Sequence, residues 1–75
     1  GQPGASAVIY SNIETDKVSF EGIDEALQIQ ATDIHLFNKR HASVKQCMGV
    51  ALASGQNIHE ARQRATLAAS KVQVC

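Results

Sequence analysis

Four basic side chains lie close together near the middle of this 75-residue chain, in the stretch LFNKRHASVKQCMGVALA: Lys39, Arg40, His41 and Lys45. Lysine supplies a compact charge with three donors and arginine a planar fork of donors, and both suit a phosphate or another anion. The alternative is a solvated hairpin tip, because basic and hydroxyl residues are ordinary in exposed loops. Composition favours the hairpin tip, and spacing alone leaves both interpretations open.

The remaining chemistry-bearing residues form no catalytic pattern. The three histidines are too scattered for metal-ligand spacing, so no metal site is predicted. Cys47 lies in an apolar run without an obvious histidine partner, which indicates an inert thiol. Asp24 and Glu25 fit the first turn of a helix better than acid–base chemistry. A Gly-rich phosphate loop and a G-x-S-x-G motif are both missing, so we expect no catalytic apparatus in this chain.

Composition bounds the class of protein. A chain of 75 residues makes one small domain, and 44% hydrophobic with 19% charged residues is a globular balance. The formal net charge of zero argues against a nucleic-acid partner. No apolar run approaches the ~20 residues needed to span a bilayer, so no membrane partner is expected.

The start of the chain and the two cysteines indicate the cellular compartment of the protein. The start, GQPGASAV, has no Met and no signal-peptide pattern, so we expect a piece of a longer polypeptide. Cys47 and Cys75 form neither a disulfide framework nor a zinc motif. A reducing cytoplasm is the predicted location.

Three apolar stretches predict the main strands, over residues 5–12, 32–38 and 45–53. In the third stretch, strict alternation places Met48, Val50 and Leu52 on one face and small residues such as Ala51 and Ala53 on the other. A small-residue face lets a helix approach closely. The segments KVSF and KVQVC predict two further, brief strands.

Two helices are predicted. GIDEALQI has apolar residues spaced for a short helix. A long helix begins after Asn57, a good N-cap, with Glu60 three residues on as in a capping box. Its narrow apolar stripe is alanine-rich and consists of Ile58, Ala61, Ala65, Ala68 and Val72. Leu67 falls on the opposite side and should be exposed, so the isolated chain is expected to self-associate.

The order β, β, α, β, β, α, β predicts an α+β domain. One small, mostly antiparallel and barrel-like sheet would carry one short and one long helix.

Several stretches, taken together, resemble a known family: GASAVI (4–9), GIDEAL (22–27), LFNK (36–39), GVALA (49–53) and an alanine-rich last helix ending in KVQV. In this order and spacing they resemble the C-terminal domain of formate-dependent phosphoribosylglycinamide formyltransferases, which are ATP-grasp enzymes of purine synthesis. The similarity covers essentially the whole chain. The ATPase subunit of phosphoribosylaminoimidazole carboxylase has a related end domain, but GVALA favours the formyltransferase.

The resemblance implies a rudiment single-hybrid-like fold and a parent reaction. ATP and formate give formyl phosphate, which the amine of phosphoribosylglycinamide attacks. ATP and magnesium are held by upstream ATP-grasp domains, which are the partners of this chain, and the parent is a homodimer. Residues 1–75 would then form the single C-terminal domain that closes over the substrate.

The resemblance also implies a site for the substrate phosphate. The family pattern is Leu-Phe-Gly-Lys-Pro, a short loop, and Arg-Arg before Gly-Val-Ala-Leu-Ala. Lys39 matches the family lysine, Arg40 replaces the proline, and Gln46 and Cys47 replace the arginine pair. Losing two charge-assisted contacts should cost about 1.5–3 kcal/mol each, and Arg40 and Lys45 are the residues expected to compensate.

Two alternatives follow from these replacements: a domain of another ATP-grasp ligase that binds a different phosphate, or a structural domain without ligand contact. Phosphate binding further requires that Lys39 face the side where the upstream domains join.

Overall fold

The computed structural model describes residues 2–75, and it confirms the predicted α+β class and the predicted order of elements. The elements are β1 (Gly4–Tyr10), β2 (Phe20–Glu21), α1 (Ile23–Leu27), β3 (Thr32–Leu36), β4 (Cys47–Ser54), α2 (Ile58–Lys71) and β5 (Gln73–Val74). Instead of one sheet there are two antiparallel sheets, β1-β4-β3 and β2-β5. Within residues 2–75 neither sheet closes into a barrel.

The smaller sheet is separate because its two short strands pair only with each other. Phe20 pairs with Val74 in the register, and the ladder continues where Ser19 and Cys75 exchange two backbone hydrogen bonds of 3.1 and 2.9 Å. This pairing fastens the end of the chain, just after α2, to the segment that leads into α1.

The larger sheet has β4 at its centre, and α2 packs across one of its faces. In the register, Ala51 of β4 lies between Ala7 of β1 and Ile34 of β3. Ala51 is fully buried and belongs to a core cluster with Ile9 and Ala68. The small residues of β4 therefore do face the helix, as their alternation predicts.

Helix α2 begins as predicted. The side chain of Asn57 accepts a 2.8 Å hydrogen bond from the backbone N–H of Glu60. The Glu60 carboxylate accepts a 2.9 Å bond in return from the N–H of Gln56, one residue earlier than a standard capping box would place it. The alanines of the predicted stripe are fully buried, whereas Ile58 at the first turn and Leu67 on the far side are exposed.

A β-bulge interrupts the regular alternation of β4. Ile9 pairs with Gly49, but the next residue, Tyr10, pairs with Cys47, so Met48 has no partner in β1. Met48 is fully buried and packs in a second core cluster that includes Phe20. Met48 is thus fully buried, whereas Val50 is half-buried and Leu52 is exposed, so the three side chains do not share one environment.

Candidate anion-binding loop

The loop between β3 and β4 is anchored along its backbone. Thr15 and Ala42 exchange two backbone hydrogen bonds of 2.9 Å each, and Ala42 is fully buried. The N–H of Lys45 donates to the carbonyl of Ser11 at 2.7 Å, and the N–H of Ser11 donates to the carbonyl of Gln46 at 2.9 Å. The connection between β1 and β2 thus anchors the backbone of this loop at Ala42, Lys45 and Gln46.

His41 lies beside two carboxylates. Its Nδ1 lies 2.7 Å from Oδ1 of Asp16, and its Nε2 lies 3.5 Å from Oε2 of Glu14 and 3.2 Å from Oγ of Ser43. Both carboxylates are largely solvent-exposed. His41 therefore fastens the loop to the β1–β2 connection, and its imidazole is already occupied on both nitrogens.

Lys39 is exposed, and its ammonium group has two neighbours in the domain. Nζ donates a 3.0 Å hydrogen bond to the carbonyl of Cys47 and lies 5.4 Å from the ring centroid of Phe37. The second distance is within the range of a cation–π contact. An ammonium has three N–H donors, so two remain for a ligand.

The other predicted site residues are arranged differently. Oε1 of Gln46 accepts a 2.8 Å hydrogen bond from the N–H of Ser43, which turns this side chain into its own loop. The thiol of Cys47 is half-buried, with Sγ 3.7 Å from the carbonyl oxygen of Gly49. Arg40 and Lys45 are exposed, and Lys45 has a φ of 69°. The structure therefore brings Lys39 and Cys47 into contact, while Gln46 is held within the loop.

The sequence does not indicate that Lys39 donates to the Cys47 carbonyl. Its contact with Phe37 could have been predicted from spacing. Phe37 lies two positions before Lys39, and residues two apart in extended backbone lie on one side. The role of Asp16 and Glu14 depends on contacts between two separate loops, so no local pattern could have revealed it.

Lys39 lies at the opposite end of β1 from Gly4. Gly4, the first residue of β1, pairs with Ser54, whereas Lys39 contacts Cys47, which pairs with Tyr10 at the other end of β1. A strand rises about 3.4 Å per residue, so these two ends are about 20 Å apart.

Across residues 2–75, no three His, Cys, Asp or Glu side chains are placed to hold a metal ion together. None of the helices described here has the length and apolar character needed to cross a membrane.

Comparison with known proteins gives a consistent family. A family model described as "PurT, C-terminal" matches residues 4–72. The chain is 51% identical over 70 residues to the formate-dependent phosphoribosylglycinamide formyltransferase of Delftia acidovorans, covering 93% of this chain and 17% of that protein. It is 49% identical over 72 residues to the enzyme of the same name from Burkholderia vietnamiensis, covering 96% of this chain and 18% of that protein. The chain thus spans less than a fifth of these relatives.

A solved structure shares the fold. The crystal structure of N5-carboxyaminoimidazole ribonucleotide synthetase from Thermotoga maritima superposes with a TM-score of 0.86. The match covers 97% of this chain and 21% of that one, at 20% sequence identity. At this identity the similarity shows the fold alone.

Proposed function

The chain belongs to the family of PurT C-terminal domains, and from this premise we propose that it is the C-terminal domain of a formate-dependent phosphoribosylglycinamide formyltransferase. Residues 1–75 form one domain of that larger enzyme in this proposal. The upstream ATP-grasp domains of the same polypeptide are its partners, and they hold ATP and magnesium. ATP there supplies the phosphoryl group that activates formate. We further propose a homodimeric parent in the cytoplasm.

Within that enzyme, the domain closes over the substrate site and contributes contacts to the phosphate of phosphoribosylglycinamide. The proposed contact residues are Lys39, Arg40, Lys45, Gln46 and Cys47. The observation that carries the proposal is the exposed Lys39 ammonium, which donates to the Cys47 carbonyl and lies over the Phe37 ring. Two of its three N–H donors remain for an anion.

Gln46 and Cys47 stand where the family pattern has two arginines, and this distinguishes the chain from that pattern. Because a glutamine amide and a cysteine thiol carry no positive charge, the positive charge at the site comes from Lys39, Arg40 and Lys45. Glu14 and Asp16 beside His41 add negative charge nearby. We therefore propose weaker phosphate binding than an arginine pair would give.

The experiment compares Lys39→Ala with the unchanged enzyme in the full-length parent. Loss of one charge-assisted contact of about 1.5–3 kcal/mol should raise KM for phosphoribosylglycinamide roughly 10- to 150-fold, with KM for ATP and formate unchanged. Lys17→Ala is the matched control, because Lys17 is an exposed lysine outside the loop. An unchanged KM for phosphoribosylglycinamide in Lys39→Ala would contradict the proposal.

A structural domain without ligand contact is the second candidate. It is favoured by the internal hydrogen bonds that already engage the ammonium of Lys39 and the amide of Gln46. Titration of the chain with ribose 5-phosphate distinguishes the phosphate-binding domain from the structural domain. Amide chemical-shift changes confined to residues 38–47 would exclude a structural domain without ligand contact. A parent that accepts another phosphorylated substrate, and not phosphoribosylglycinamide, would instead indicate a different ATP-grasp ligase.

A further inference from the structure

The β1–β2 connection brings two carboxylates against the loop between β3 and β4. Thr15 exchanges two backbone hydrogen bonds of 2.9 Å each with Ala42. In an antiparallel pair the neighbours of bonded residues also lie opposite each other, so Asp16 is placed against His41. Glu14 lies on the other side of Thr15 in the same segment. These backbone bonds do not involve the His41 side chain, so both carboxylates stay beside the loop when that side chain is removed.

The His41 side chain engages both of these carboxylates. Its Nδ1 lies 2.7 Å from Oδ1 of Asp16, and its Nε2 lies 3.5 Å from Oε2 of Glu14. Because a carboxylate only accepts hydrogen bonds, Nδ1 is the donor to Asp16. The imidazole therefore bridges two acidic side chains that would otherwise face the loop without a partner of their own.

The basic side chains of the loop, in contrast, have no acidic partner in the domain. Over residues 2–75, no carboxylate oxygen lies within 4.0 Å of the side-chain nitrogens of Lys39, Arg40 or Lys45. Arg40 directly precedes His41, and both are exposed. A carboxylate released from His41 would have the Arg40 guanidinium as an alternative partner, since this fork pairs readily with carboxylates. Such a pair would use donors that a phosphate needs.

We infer that His41 is a positioning residue of the proposed phosphate site. By holding Asp16 and Glu14, it keeps these carboxylates from pairing with Arg40 and leaves the positive charge of the loop to the anion. The inference rests on the proposed function, in which that anion is the phosphate of phosphoribosylglycinamide. His41 itself does not contact the phosphate, because both imidazole nitrogens already face partners within the domain.

Kinetics of the full-length parent test this inference through a mutant cycle. One variant is His41→Ala, and a second replaces both carboxylates by amides, as Glu14→Gln with Asp16→Asn. A third variant carries all three substitutions. His59→Ala is the matched control, because His59 is an exposed histidine outside the loop.

His41→Ala should raise KM for phosphoribosylglycinamide about fivefold, the upper range for exposed charge pairs, with kcat and KM for ATP unchanged. In the amide background the same substitution should change KM by less than about twofold, because no carboxylate remains to compete for Arg40. His59→Ala should leave KM unchanged. His41→Leu, which fills the space without a hydrogen-bond donor, replaces His41→Ala where the latter fails to fold, with the same expectation.

A merely structural bridge between the two loops predicts a different pattern. The amide substitutions would weaken such a bridge further, so the triple variant would bind phosphoribosylglycinamide no better than His41→Ala does. That result would overturn the inference, as would an unchanged KM in His41→Ala.

The mutant cycle and the Lys39→Ala experiment can fail separately. A raised KM in Lys39→Ala without any effect of His41→Ala would retain the phosphate contact and reject the positioning role. An unchanged KM in Lys39→Ala together with the expected cycle would retain the role of His41 beside Arg40 and reject the contact by Lys39.

Discussion

Lys45 occupies a backbone conformation that its residue type does not favour. Its φ of 69° lies in the left-handed region, where the loop turns and its N–H reaches the carbonyl of Ser11. For an L-residue this conformation costs roughly 1–2 kcal/mol, and glycine avoids most of that cost. A lysine at a strained position in a proposed phosphate loop is consistent with a role for its side chain.

The strain at Lys45 predicts the effect of two substitutions. Lys45→Gly should raise the free energy of unfolding by about 0.5–1 kcal/mol, because relief of the left-handed strain exceeds the added entropy of the unfolded chain. Lys45→Ala keeps the strain and should bring no gain. Urea unfolding followed by circular dichroism measures both, and a glycine variant no more stable than the alanine variant would contradict the explanation.

At the scale of elements, α2 packs across β1 and β4 through small residues. Ala61, Ala65 and Ala68 of the helix are fully buried, and Ala51 of β4 belongs to the same core cluster as Ala68. Small residues on both surfaces allow the two backbones to come close together, so a larger side chain has no space.

This packing predicts that Ala65→Leu destabilises the domain by about 1–3 kcal/mol, because added methylene groups strain a close-packed core. Thr66→Leu is the matched control, since Thr66 is the next residue of the same helix and is exposed. Its effect should stay within about 0.5 kcal/mol. Both free energies are measured by thermal unfolding. A loss in Ala65→Leu as small as that expected for Thr66→Leu would show that the interface tolerates larger residues.

The sequence could predict the elements that depend on local spacing. Helix α2, its Asn57 cap and the small face of β4 follow from periodicity and from residues three or four apart. The bulge at Met48 and the pairing of Thr15 with Ala42 could not be predicted, because each depends on a partner strand or loop distant in sequence. The candidate site is limited in the same way. The sequence pattern indicated Lys39 as a candidate, but not its hydrogen bond to the Cys47 carbonyl, which depends on the fold of the loop.

At the scale of the whole domain, the fold is an elongated, two-layer body with extents of 40 × 19 × 17 Å. Its fully buried side chains are mostly alanines, and Ile9 and Met48 are the largest apolar ones. A domain of this size buries only about 60–65% of the surface of its unfolded chain, so its stability by itself is low. Covering the exposed apolar side chains on the sheet face opposite α2, such as Val8 and Leu52, would add burial that the small core lacks.

The exposed apolar side chains on the sheet face opposite α2, such as Val8 and Leu52, predict self-association of the 75-residue chain in isolation. Sedimentation velocity should show a concentration-dependent average mass, because two copies can bury these side chains against each other. Leu52→Lys places a charge in that face and should shift the chain towards monomer, whereas Leu67→Lys on α2 should not. A monomer at all concentrations would contradict the prediction, and disruption by Leu67→Lys alone would place the contact on the helix instead.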